Sequence, residues 1–149
     1  MKILAATSFA LFAIVAAATA FGAGQPLPTA TPVALATLHQ SYSVSVKKPA
    51  DLLVVKVKVP PGGSFGWHSH PSAVAVAITS GTLTLYDSSY PGCKARRFSR
   101  GQGFVEPRNH VHLARNEGSK PVTLYATYLG LPHGGNPNVP APRPANCPA

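Results

Sequence analysis

The chain predicts an all-β domain of short strands, closed into a barrel or stacked as a sandwich. Three observations point there. From residue 51 onward, apolar and β-branched residues run at the period of a strand. Turn formers interrupt these runs at a spacing of roughly eight to twelve residues. No stretch after residue 21 sustains the i, i+3, i+4, i+7 pattern of an amphipathic helix. Closure into a barrel also hides strand edges that would otherwise recruit other chains.

The elements follow in order. After a Pro-rich lead-in with Pro26, Pro28 and Pro32, the first ordered segment is expected over residues 33–46. Asp51 to Val59 carries Leu52, Leu53, Val54, Val55, Val57 and Val59, with Lys56 and Lys58 on the alternate face, before Pro60-Pro61-Gly62-Gly63 breaks it. Ala73 to Thr79 and Thr82 to Tyr86 are joined by Ser80-Gly81, which reads as a hairpin. Lys94 to Ser99 is a further strand, stopped by Gly101-Gln102-Gly103. His110 to Arg115 and Val122 to Tyr128 complete the set, separated by the turn Asn116-Glu117-Gly118.

Composition narrows the class. With 149 residues, of which 11% are charged, the chain suits one ordinary domain with a real core and is too apolar for a solvated, disordered segment. The 2 Cys can build neither a disulfide scaffold nor an all-cysteine zinc site. Fibres, repeat arrays and polytopic membrane proteins are excluded as well. The net charge of +9 is spread along the chain. The densest cluster, Lys94, Arg96, Arg97 and Arg100, lacks the interleaved aromatics of a nucleic-acid reader. No nucleic-acid partner is expected, and attraction to an anionic envelope surface is.

Residues 1–20 have the pattern of a secretory signal peptide: Lys2, an apolar stretch, then the small-x-small site Ala18-Thr19-Ala20. An uncleaved membrane anchor is the alternative. The expected organisation is a signal peptide at 1–20, a Pro-rich lead-in at 21–34, a barrel at 35–130 and a Pro/Gly-rich tail at 131–149. A secreted, periplasmic or cell-envelope location follows, and in such an oxidising compartment Cys93 and Cys147 are expected to pair. That bridge would tie down a tail with six prolines and little to bury.

The histidines carry the chemistry. His68 and His70 are two apart, so both rings project from one face of an extended segment. With His112 from a distant strand they can converge on one cation, because neutral imidazole suits Zn, Cu, Fe, Ni and Mn at roughly 2.0–2.2 Å. An isolated His-x-His pair is more often surface or satisfied core.

The surrounding spacing is more specific. Gly62, five residues, His68-x-His70 and then Gly81 resemble the first motif of the cupin superfamily. Gly101, five residues, Pro107-x-Asn109-x-x-His112-x-x-x-Asn116 resemble its second. The resemblance implies a jelly-roll β-barrel with a metal held inside by His68, His70 and His112, and a possible homodimer. Asn109 stands where the family usually has Gly, and Asn is the next most tolerant of left-handed backbone.

One departure matters. The family's first motif normally supplies a Glu ligand three or four residues after the second His, where this chain has Val74 and Ala75. Sharing a face with His70, Val74 would point inward in place of the carboxylate. Three-His members of the superfamily include thiol and diketone dioxygenases, so the resemblance still admits a working site. The alternative is a decayed one. His110 could be a fourth donor or a neighbour of the ligands. Glu106, before Pro107, could orient an imidazole, replace the lost carboxylate, or simply face solvent in a turn. Arg108 and Arg115 could receive a substrate carboxylate.

No nucleophile elbow, P-loop or dinucleotide fingerprint is present, and the four acids offer no glycosidase pair. Three functions remain: a metal-dependent oxygenase acting on a small molecule, a non-catalytic module binding a metal or small ligand, and a barrel with a retired site. The metal is expected to be Fe, Mn, Cu, Zn or Ni.

Overall fold

The computed structural model describes residues 29–147. The expected signal peptide and most of the lead-in lie outside these residues. From Pro32 onward, nine strands follow one another: β1 (Ala50–Val59), β2 (His68–Ser69), β3 (Ala73–Ser80), β4 (Thr82–Asp87), β5 (Arg96–Ser99), β6 (Gly103–Glu106), β7 (His112–Arg115), β8 (Val122–Pro132) and β9 (Val139–Pro140). They form two antiparallel sheets, ordered β1-β8-β3-β6 and β5-β4-β7-β2-β9. This is a jelly-roll barrel.

Alternation along β1 turns Leu53, Val55, Val57 and Val59 inward. Leu52 and Val54 stand with Lys56 and Lys58 on the outer face, 69% and 56% exposed. The inward set packs with Ile78, Leu83, Leu85, Val122 and Leu124 from the neighbouring strands. Each such fully buried aliphatic side chain contributes about 1.5–3 kcal/mol, and together they hold the two sheets face to face.

Two glycines show how sequence sets the corners. Gly81 closes the β3–β4 hairpin at φ +75°, with the Pro121 carbonyl 2.9 Å from where a Cβ would stand. Gly103 lies so near β3 that a Cβ would come within 2.6 Å of the Val76 carbonyl. The latter is therefore the first residue of a strand rather than part of a stop. Gly101, at φ +82°, supplies the turn, and β6 begins two residues later.

The structure departs from expectation at both ends. Residues 33–46 form no regular strand; their one bridge joins Thr37 to Gln102, in the turn just before β6, and Val33 and Leu35 are 72% and 84% exposed. A segment becomes a strand only where an edge pairs along its length, and here the backbone pairing is limited to Thr37. At the other end the boundary expected at residue 130 falls inside β8, and the tail contributes β9, which pairs with β2 at His68 and Ser69. The Cys93–Cys147 disulfide is present, with Cα atoms 4.9 Å apart.

Candidate metal centre

Three histidines meet inside the barrel. His68 enters from β2, which pairs with β7 so that His68 lies opposite His112. His70 follows two residues on, with the same facing as His68. All three are at least 95% buried, and their ligand atoms lie within 4.8 Å of one another. Ring centroids are 4.5 to 5.0 Å apart.

The outer nitrogen of each ring is tied to a backbone carbonyl. His68 Nδ1 donates to Gly66 O at 2.8 Å, His70 Nδ1 to Pro137 O at 2.7 Å, and His112 Nδ1 to His110 O at 3.0 Å. A carbonyl only accepts, so the Nδ1 atoms carry the protons. In the neutral rings each Nε2 then presents a lone pair to the common space. His112 Nε2 is fully buried without a hydrogen-bond partner. Three convergent lone pairs in a buried space suit a cation, and carbonyls that fix the tautomer are the usual support of metal-bound imidazole.

Glu106 is the residue whose place in the sequence misled. It is not a turn residue facing solvent but the last residue of β6, 7% exposed. Strand alternation sets it inward with Phe104, and both line the same cavity. Its Oε2 lies 3.2 Å from His70 Nε2 and its Oε1 3.2 Å from His112 Nε2. Burial pushes its carboxyl up, but the charge of His112 and the contacts with both rings outweigh this and hold it at about 2. Burial likewise pushes His112 down, and Glu106 reverses the direction, leaving it raised. For His68 burial prevails and the imidazole is lowered.

The other expectations fall out as follows. Val74, 1% exposed, is the cross-strand partner of Glu106 on one side and of Tyr128 on the other, in the inward row. His110 precedes β7, and its carbonyl, not its ring, reaches the centre. Asn109 adopts φ +61° and donates its N–H to His70 O at 2.8 Å, so the left-handed position carries the turn that steadies His70. Asn116, fully buried, donates to Val59 O and Lys120 O and accepts from Gly118 N. Arg108 and Arg115 do not line the cavity.

Beside the histidines lies a cavity of about 170 Å³. Its walls are mainly apolar, with Val55, Leu83, Phe104 and Ala126 beside His68, His70 and Glu106, and among the described residues no Lys or Arg lines it. Tyr128 stands edge-on to His70, ring centroids 5.2 Å apart, and burial together with the Glu106 charge raises its phenol. Sequence reasoning missed Tyr128, the Pro137 carbonyl and the full role of Glu106. Glu106 left a signal in the Phe104-x-Glu106 alternation and Tyr128 in the Leu124-x-Ala126-x-Tyr128 alternation, which reads equally well as packing; the Pro137 carbonyl left none.

Comparison with known proteins decides the family. Residues 55–128 match a family described as a cupin domain. The chain belongs to the cupin superfamily. Within it, germin-like protein 5-1 of Oryza sativa subsp. japonica is 38% identical over 76 residues, covering 48% of this chain and 33% of that protein. The cupin thus spans about a third of this relative's length. A solved DMSP lyase superposes with a TM-score of 0.52 at 22% identity, over 60% of this chain and 44% of that one. The cupin domain of Schizosaccharomyces pombe Cnp3 has a TM-score of 0.49 at 19% identity, over 60% and 59%. At 22% identity the lyase likeness concerns the fold alone.

Proposed function

We propose that this cupin is an exported protein that holds one divalent transition metal, Fe, Mn, Cu, Zn or Ni, on His68, His70 and His112; with a redox-active metal it acts as an oxygenase on a small molecule in the barrel, whereas with zinc it serves a hydrolytic, isomerising or binding role. The observation that carries the reading is the tautomer arrangement: three Nδ1 protons spent on carbonyls and three Nε2 lone pairs aimed into one buried space. The disulfide supports an oxidising compartment.

Such a metal, when bound, supplies Lewis acidity or redox chemistry at an open position. The chain does the rest. The carbonyls of Gly66, Pro137 and His110 keep the rings in one orientation. The mainly apolar walls favour a ligand with little charge, since no Lys or Arg among the described residues lines the cavity to receive an anion. Tyr128 keeps its proton at neutral pH and lines the cavity with its ring edge-on to His70. A volume of about 170 Å³ accommodates a group of roughly the size of benzene, which fits an engineered apolar cavity of about 150 Å³.

Elemental analysis of protein purified after export tests the site, beside His68→Ala and His112→Ala. The expected result is about one metal per chain, lost in both variants. Oxygen uptake with small, mostly apolar substrates then tests the chemistry; a loaded protein that turns over none of them is a binding module. No metal after purification or reconstitution would overturn the reading and mark the centre as retired.

A further inference from the structure

The centre holds a carboxylate that the three-histidine reading leaves without a task. Both oxygens of Glu106 lie 3.2 Å from Nε2 atoms whose rings already donate through Nδ1. While the rings are neutral an acceptor then faces an acceptor, twice, and attraction between them requires either a second proton on the ring or a cation held between. The separation fits a cation. Ligand atoms at about 2.1 Å from one cation lie roughly 3.0–3.4 Å apart from each other in octahedral or tetrahedral settings.

The register explains how the carboxylate arrived there. Val74, the position at which the chain lacks an acid after His70, is the direct cross-strand partner of Glu106. Partners in an antiparallel pair project to the same face from strands about 4.7–4.9 Å apart. A Glu side chain spans that distance. Moving the acid from β3 to β6 therefore returns it to the same inward space.

We propose that Glu106 is a fourth protein ligand of the cation, supplying from β6 the carboxylate absent at Val74. The inference rests on the metal reading above. With Glu106 ionised, a dication in this centre carries a net charge of about +1 rather than +2, and one fewer position is open to a ligand. The donor set, three imidazoles and one carboxylate, is better suited to Mn, Fe or Zn than a purely nitrogen site.

Co(II) added to the metal-free full-length protein tests it. Glu106→Gln keeps size and lowers Co(II) affinity at least tenfold, a range also produced when a residue merely orients a ligand. The deciding readouts are therefore spectroscopic. Co(II) loading of the unaltered protein is expected to shift a carboxylate stretch in the infrared difference spectrum, readable because the chain has only four acids. The shift disappears in Glu106→Gln, and the visible Co(II) bands change in shape. In Glu106→Val/Val74→Glu the affinity returns to within a few-fold and the carboxylate shift reappears. If the unaltered protein loads Co(II) with no carboxylate shift, Glu106 is not a ligand and the three histidines stand alone. If it loads no Co(II), the metal reading fails and takes this inference with it. The infrared measurement on the unaltered protein decides the matter even where a variant fails to fold.

Discussion

Asn109, Asn116 and Asp51 show how single residues act on this site and its surroundings. Asn109 sits at φ +61°, a conformation costing most L-residues about 1–2 kcal/mol. Asn109→Ala is expected to lose about 1 kcal/mol in a denaturant unfolding experiment, whereas Asn109→Gly changes stability little. Asn116→Ala leaves the carbonyls of Val59 and Lys120 and the N–H of Gly118 without its side chain, and is expected to cost about 2–3 kcal/mol. His133 Nδ1 lies 2.8 Å from Asp51, and the hydrogen bond raises the imidazole and lowers the carboxyl. The sign follows from both. Attraction is complete between the two values, fades as pH rises through the raised His133 value above 6.5, and fades as pH falls through the depressed Asp51 value below 3.8. An NMR titration of His133 checks this: Asp51→Asn should bring it back toward 6.5.

Among elements, the segment after β8 has the largest consequence for the centre. It pairs β9 with β2, places Pro137 O against His70 and ends in the Cys93–Cys147 bridge. In the chain-entropy account, a bridge closing a separation of 54 residues stabilises by about 4 kcal/mol. Reduction, or Cys147→Ser, is expected to lower the unfolding free energy by a few kcal/mol. It should also weaken metal binding at least tenfold, because His70 loses a firm acceptor. A chelator competition before and after reduction measures that coupling; equal affinities would show that β9 holds its place without the bridge.

At the scale of the whole molecule, the barrel couples metal, cavity and stability. A metal that binds the folded chain alone adds about 2.7 kcal/mol when free metal is a hundredfold above Kd. The melting temperature should therefore rise by on the order of 10 °C on loading and fall back with a chelator. Filling the cavity separates two roles. Ala126→Leu adds bulk to the wall and leaves all three histidines in place, so metal content should persist while uptake of a benzene-sized probe is lost.

Much of this was legible in the chain. Period-two alternation marked β1, β3 and β8, because each has one face more deeply buried than the other, β-branched and apolar residues marked β4, and the two glycine-anchored His motifs marked the rings that meet. Where legibility failed, the reason was pairing. The 33–46 segment is apolar at its start and alternates over Tyr42 to Val46, yet only an adjacent edge makes a strand, and its backbone bridges only at Thr37, to Gln102 before β6. β6 went unread because Gly103 counts as a breaker until the Val76 carbonyl beside it explains why no side chain fits.

By itself the sequence determined the all-β class, the spacing of His68, His70 and His112, and the missing acid at Val74, since these depend on residue type and local period. Tertiary structure alone decided that Glu106 enters the centre, that Pro137 orients His70 and that Tyr128 lines the cavity. These are contacts across strands, and register, which no local pattern encodes, sets which residues face each other.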